Sequence, residues 1–208
     1  MRLTGTRVAF LGAVLGLASA TVASDADASV SVAVLFDGLV AESASVDVIT
    51  ATEAHAVWED GRIYTYTRVH VDTAVAGTLA TGSDVWVQTM GGEIGAIGQL
   101  VEGEAVLVPG KTSMLFLKPA QTGTFVVTAR GQGQFPVRLD GPTRVPKVNR
   151  NRASGVILAP RPGTVARAQG LAPSAPVAAL PAAEVLDDKS VDDAAKEIRL
   201  AWRRTHAP

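Results

Sequence analysis

Residues 46–75 decide the fold, and they read VDVITATEAHAVWEDGRIYTYTRVHVDTAV. Two runs rich in β-branched and aromatic residues flank the dipeptide Asp60-Gly61. This pair is favoured in two-residue type I′ turns, because both central positions need a positive φ. The sequence therefore predicts a long β-hairpin in which Val46–Trp58 pairs with Ile63–Val75.

The turn also predicts which residues share a face of the hairpin, because side chains alternate along a strand. One face carries the pairs Trp58–Ile63, Ala56–Thr65, Ala54–Thr67 and Thr52–Val69. The other face carries the pairs Val57–Tyr64, His55–Tyr66, Glu53–Arg68 and Ala51–His70. Small and β-branched residues suit the first face to a packed interior. The second face is amphipathic, and its Glu53–Arg68 pair would help to fix the register.

Strand patterns continue on both sides of the hairpin, with turn signals at short intervals. Further strands are predicted at Ser29–Val34, Asp84–Met90, Thr112–Leu117, Thr124–Ala129 and Gln134–Leu139, with a short helix at Leu35–Ser43. A βαβ rhythm is missing. The prediction is a mainly β fold: a small closed or partly open OB-like barrel of five to six strands, with an open sandwich as the alternative.

Proline usage divides the chain near residue 141. Three of the 11 prolines lie in residues 21–141, and the other eight follow from Pro142 onward. We interpret residues 25–140 as the β-barrel domain and 141–183 as a Pro/Ala/Gly-rich basic linker, in which 155–158 could form an edge strand. Residues 184–208 are predicted to hold an amphipathic helix with Ser190 as its N-cap, and docking on its own domain is favoured over docking on a partner.

The first twenty residues are typical of a secretory signal peptide. Arg2 and Arg7 precede an apolar stretch, Val8–Ala18, and Ala18-Ser-Ala20 offers a small-residue cleavage site. The stretch is about half of the roughly 20 apolar residues that a membrane span needs. We therefore expect a secreted or periplasmic protein, with no transmembrane span after cleavage.

Composition and motifs argue against several chemistries. The chain has no cysteine, three histidines and a formal charge of -1, so thiolate chemistry is excluded and a general nucleic-acid binder is disfavoured. The glycine-rich segment 91–98 matches neither phosphate-binding pattern and is interpreted as a flexible β-connection or a bulged hairpin. Glu59 and Asp60 are neighbours in a turn, and His55 and His70 lie too far apart to share a metal. We expect no catalytic residues, no metal and no cofactor.

A set of motifs resembles a family of exported bacterial small β-barrel proteins, mostly uncharacterised and in part associated with matrixin-type metallopeptidases. The set comprises Trp58–Asp72, Gly77, Val85-Trp-Val87, Gly91-Gly92-Glu93, Pro109-Gly110 and Leu115-Phe-Leu117. The resemblance covers about residues 30–140, and its motifs are structural. Because a peptidase zinc motif is missing, the resemblance implies a role in proteolysis only as a partner.

The expected function is that of an exported, non-enzymatic binding or structural module that recognises a protein or an envelope component. The expected ligand-binding residues lie on the amphipathic face of the hairpin and on the glycine-rich loop. They are His55, Tyr64, Tyr66, Arg68 and Glu93. The alternative is an accessory or inhibitor of a secreted hydrolase, such as a metallopeptidase, engaged by strand addition or loop insertion.

Overall fold

The computed structural model describes residues 30–120, 123–141, 143–154, 156–158 and 180–207. The predicted signal peptide, residues 1–20, lies outside the described residues. So does the stretch 159–179 of the predicted linker.

Eleven strands and three α-helices make up the described chain. The strands are β1 (Val30–Val32), β2 (Ser45–Glu59), β3 (Arg62–Gly77), β4 (Asp84–Met90), β5 (Gly92–Ile94), β6 (Ile97–Gln99), β7 (Thr112–Pro119), β8 (Phe125–Val127), β9 (Gln134–Leu139), β10 (Pro146–Val148) and β11 (Val156–Leu158). The helices are α1 (Phe36–Ala41), α2 (Ala182–Leu186) and α3 (Val191–Thr205). A mainly β fold with a short early helix and a C-terminal helix is therefore confirmed.

Five strands close into a ring in the order β2-β3-β4-β8-β7. Neighbours in the ring are antiparallel except β4 and β8, which run parallel. Strands β9 and β10 extend the sheet from the outer side of β7. The sequence favoured a closed OB-like barrel over an open sandwich, and the structure shows a ring of five strands.

The hairpin turn forms as predicted, with φ of 48° at Asp60 and 77° at Gly61. The predicted register holds from the turn down to the pair Glu53–Arg68. Beyond it, Thr52 is an extra residue, so Ala51 faces Val69 and the predicted pairs Thr52–Val69 and Ala51–His70 are wrong. A bulge of this kind bends a strand. Here it bends β2 where pairing with β7 begins, at Thr50.

The first face of the hairpin is buried on one strand only. Ile63, Thr67 and Val69 of β3 are fully buried, whereas Ala54 is exposed and Trp58 is 56% exposed. The reason is that β2 runs past the ring beyond Ala51, where β7 no longer accompanies it. The prediction of a packed interior is thus right for β3 and wrong for the end of β2.

Two separate cores follow from the alternation of side chains along the strands. The ring encloses Ile49, Ala51, Val69, Val71, Val87, Ala105, Leu107, Leu115, Leu117 and Val127. On the opposite side of the sheet, residues of the strands and of the helices pack together. They are Phe36, Leu39, Val40, Val46, Val48, Val75, Met114, Phe116, Phe135, Val148, Ala182, Leu186, Ala194, Ala195, Ile198 and Ala201. We refer to these groups as the ring core and the helix–sheet core.

Helix α3 docks on its own domain rather than standing apart from it. Ala194, Ile198 and Ala201 are fully buried in the helix–sheet core. At the far end of the helix, Arg204 Nη2 lies 2.8 Å from Asp37 Oδ1 of α1. The apolar side of the predicted amphipathic helix is therefore its docking surface.

Part of the stretch interpreted as a linker belongs to the fold. Strand β10 pairs with β9, and Val148 is fully buried in the helix–sheet core. Its N–H donates to the carbonyl of Lys189. Strand β11 pairs in parallel with β1. A high proline content did not prevent these residues from pairing, because each strand is only three residues long and lies at a sheet edge.

Replacing Ser190 with Ala is expected to lower the free energy of unfolding by about 1 kcal/mol. Ser190 Oγ accepts a hydrogen bond from the backbone N–H of Asp193 at 3.1 Å, which caps α3. Alanine leaves that N–H without its acceptor. Urea denaturation of Ser190→Ala beside Ser190→Thr, which keeps a hydroxyl, measures the effect. Equal stability of the two variants would show that the cap contributes nothing.

Candidate functional site

Three aromatic rings form a cluster on the outer face of β2, β3 and β4, the face directed away from the ring core. His55 stacks on Tyr66 with ring centroids 5.8 Å apart and an interplanar angle of 18°. Trp86 meets His55 edge-on at 5.0 Å and 74°. We call His55, Tyr66 and Trp86 the aromatic face. His55 is exposed and the other two are half-buried, so the cluster presents ring surface to solvent.

Sequence reasoning missed Trp86, although a signal for it was present. Trp86 lies directly opposite Arg68 in the β3–β4 register, so it shares a face with Tyr66. The alternation within VWVQT places Trp86 and Gln88 on that same side. What the sequence alone lacked was the pairing of β4 with β3 in this register.

The hydroxyl of Tyr66 donates one hydrogen bond and accepts another. It donates to the Glu59 carboxylate at 2.9 Å and accepts from Gln88 Nε2 at 2.9 Å. Burial raises the pKa of Tyr66, and the Glu59 carboxylate raises it further. The ring is thus fixed as a neutral phenol, which leaves its face rather than its hydroxyl available. Glu59 does not simply project into solvent, as its place beside the turn had suggested.

An ion-pair cluster borders the aromatic face. Arg68 Nη2 lies 2.8 Å from Asp84 Oδ2, and Nη1 lies 3.9 Å from Glu53 Oε1. His70 Nδ1 is 2.8 Å from the other Asp84 oxygen. These contacts, first the hydrogen bond from His70 and then the Arg68 charge, lower the pKa of Asp84. The predicted Glu53–Arg68 pair exists, but Asp84 is the closer partner.

The structure brings together four of the five predicted ligand-binding residues. His55, Tyr66 and Arg68 are neighbours, and Tyr64 lies on the same face two residues closer to the turn, where it lines a cleft with Gln88.

Glu93 is not with them. It is exposed on the β5–β6 hairpin, beside a groove that Thr65 and Thr89 line from the opposite face of the same strands. The segment around it forms a hairpin, as predicted.

The aromatic face and the ion pairs beside it offer groups for non-covalent binding. Within the described residues, His, Asp and Glu side chains nowhere form a group of three that could hold a metal ion. His55 and His70 take part in different contacts, a ring stack and an ion pair. Of the helices described here, none has the length and apolar character to cross a membrane. The arrangement can stack on a planar or apolar group and pair with charge beside it.

Models of known protein families, curated proteins and solved structures were compared with the chain, and none of these comparisons found a match.

Proposed function

We propose that the protein is an exported, non-enzymatic binding module that recognises a protein or a surface component of the cell envelope on its aromatic face. The observation that carries this proposal is the stack of His55, Tyr66 and Trp86 on the outside of a closed ring. Aromatic rings supply large contact areas, and they lose little conformational entropy when they are already fixed. Here the hydrogen bonds of the Tyr66 hydroxyl fix the ring on which His55 stacks.

The charges beside the face favour a protein-like partner over a nucleic acid. Glu53, Glu59 and Asp84 lie around the aromatic rings, and Arg68 is already paired with two of them. Nucleic-acid binding needs an excess of positive charge along the phosphate backbone. A partner with an exposed apolar or aromatic side chain and polar flanks matches the face better.

The position of the face within the ring supports the same reading by analogy. In OB-like folds, the outer surface of the second and third strands is a common ligand-binding surface. Strands β3 and β4 hold these places in the ring. This support rests on the fold alone, since one fold serves many functions.

Export rests on the sequence features. The N-terminal pattern of residues 1–20 is typical of a signal peptide. The resemblance to a family of exported bacterial proteins supports the same location.

Replacing Trp86 with Ala is expected to weaken binding of the partner at least tenfold, because the largest aromatic side chain of the face is lost. The partner is first recovered from secreted and envelope fractions with the purified protein, and its Kd is then measured for each variant. Trp58→Ala is the matched control, since this tryptophan is 56% exposed on the opposite side of β2. A Trp86→Ala protein that binds as tightly as the parent would overturn the proposal.

One observation favours the second candidate, a hydrolase accessory engaged by strand addition. The N–H of Ile63 donates to Gln99 Oε1, and its carbonyl accepts from Gly91, so both groups point away from β2. Trp58 is paired with Ile63, so the backbone N–H and C=O of Trp58 also point away from the partner strand, toward the outer edge of β2. By alternation Ala56 and Ala54 do the same. Within the described chain, no strand pairs with this edge beyond Thr50.

The two candidates respond to different substitutions. Ala56→Pro removes an outward-pointing N–H and should abolish strand addition, while the aromatic face stays intact. If a secreted peptidase is the recovered partner, Ala56→Pro should lose it and Trp86→Ala should keep it. The reverse result supports the aromatic face.

A further inference from the structure

The polar cleft that Tyr64 and Gln88 line lies where β3 begins and β4 ends, beside the turn that follows β8. Its volume is about 460 Å³, within the usual range of small-molecule sites. Tyr64 and Gln88 form one wall, Lys118 of β7 lies on another, and Glu104 and Arg130 also line it. We call it the Glu104 cleft. It is a concave site, unlike the flat aromatic face.

Glu104 is a buried acid in this cleft. Its side chain is 9% exposed, and Oε1 accepts a hydrogen bond from the N–H of Ala105 at 3.0 Å. Oε2 lies 3.9 Å from Arg130 Nε, which is too long for a hydrogen bond. Burial raises the pKa of Glu104, although the Ala105 and Met90 N–H groups and the Arg130 charge act in the opposite direction. Backbone N–H groups hold this carboxylate in place at the lining of the cleft, where a ligand can reach it.

The backbone beside the cleft adopts a conformation that ordinary residues avoid. Ala129 and Arg130 are consecutive non-glycine residues with φ of 54° each. Such conformations persist only where the surroundings hold them, and they are concentrated at functional sites. Here the N–H of Gly131 donates to the carbonyl of Gly103, and the Gln132 side chain bonds to the backbone of Val32 and Val34. The turn keeps Arg130 at the cleft.

The charged groups of the cleft are balanced. Lys118 and Arg130 provide two positive charges, and Glu42 and Glu104 provide two negative charges. Within the described residues, the Tyr64 hydroxyl and the Lys118 ammonium make no hydrogen bond or ion pair. A ligand with a single charge would meet repulsion from half of the lining. A ligand that carries both signs can pair with both.

We propose that the Glu104 cleft binds a small zwitterion, an α-amino acid or a dipeptide, with its ammonium group on Glu104 and its carboxylate on Lys118 and Arg130. The proposal is independent of the function assigned to the aromatic face. It concerns a separate cleft beside that face, lined by Glu104, Lys118 and Arg130. Gln88, which also hydrogen-bonds Tyr66, lies at the boundary between the two.

Isothermal titration calorimetry of the full-length mature protein tests the site. The probes are free amino acids and dipeptides with neutral side chains, each compared with its N-acetylated and its C-amidated form. We expect the free zwitterions to bind at least tenfold more tightly than either blocked form. Equal binding of free and N-acetylated probes would overturn the proposal in favour of a simple anion site, and no binding of any probe would overturn it outright.

Substitutions in the cleft test which residue binds each end of the ligand. In Glu104→Gln, N-acetylation should no longer weaken binding, whereas in Lys118→Gln amidation should lose most of its effect. The matched controls are Glu102→Gln and Lys111→Gln, which alter exposed side chains outside the cleft. If Glu104→Gln does not fold, Lys118→Gln and the blocked probes still test the proposal. Trp86→Ala should bind the zwitterions normally, which separates this site from the aromatic face.

Discussion

Raising the pH from 4 to 8 is expected to cost the protein about 2.5 kcal/mol of unfolding free energy through one carboxyl group, Asp47. Asp47 is fully buried. Oδ2 accepts a hydrogen bond from Ser45 at 2.7 Å, and Oδ1 has no partner within the described chain. Burial is the main cause that raises its pKa from 3.8 to about 6, against the smaller effect of the Ser45 hydrogen bond.

The direction follows from which state holds the proton. Between pH 3.8 and about 6 the folded protein keeps the Asp47 proton and the unfolded chain releases it. Stability from this group is therefore complete below pH 3.8 and is lost as the pH rises through 6. The neutral form suits the site because Asp47 lies on the inner side of β2, opposite Leu115 and Ala74.

Urea denaturation of the parent and of Asp47→Asn at several pH values isolates this effect. The variant should gain about 2.5 kcal/mol relative to the parent between pH 4 and pH 8, since its side chain has no proton to lose. Asp60→Asn is the control, because it changes an exposed turn residue and keeps a favoured turn pair. Parallel pH profiles of the parent and Asp47→Asn would contradict the prediction.

Replacing Ile198 with Ala is expected to destabilise the protein by about 3 kcal/mol, the middle of the range for large-to-small changes in a core. Ile198 is fully buried in the helix–sheet core. The substitution removes its apolar contacts and leaves a cavity between α3 and the sheet.

The neighbouring residue Leu200 supplies the control. It lies on the same helix and is 47% exposed, so Leu200→Ala should change stability by less than about 0.5 kcal/mol. Denaturant midpoints at fixed m-value give both numbers. Equal, small losses in the two variants would mean that α3 is not docked in solution.

Local signals in the sequence were sufficient for much of the fold. The Asp60-Gly61 pair placed the turn and the register as far as Glu53, because both depend on nearby residues. The bulge at Thr52 depends on where β7 begins to pair with β2, and no local pattern reports that. Strand β10 likewise depends on the space that Val148 fills in the helix–sheet core. Proline content is a weaker determinant than such a contact.

Only part of the candidate site could likewise be predicted from local signals. Alternation within the hairpin placed His55, Tyr66 and Arg68 on one face. Trp86 joined them only through the pairing of β4, and Glu93 was lost because its hairpin folds over the opposite side. The Glu104 cleft is assembled from residues 42–130, so its charge balance appears only in three dimensions.

The helix–sheet core also sets the order in which the chain can fold. It joins Phe36 of α1 to Ala201 of α3, and an ion pair between Asp37 and Arg204 closes the same interface. At the usual pace of synthesis, about 5–20 residues per second, α3 follows α1 by roughly ten seconds or more. Until then α3 is not available to cover Val46 and Phe116. Contacts so distant in sequence fold slowly, so the nascent chain stays open for that interval and depends on α3 to complete its tertiary structure.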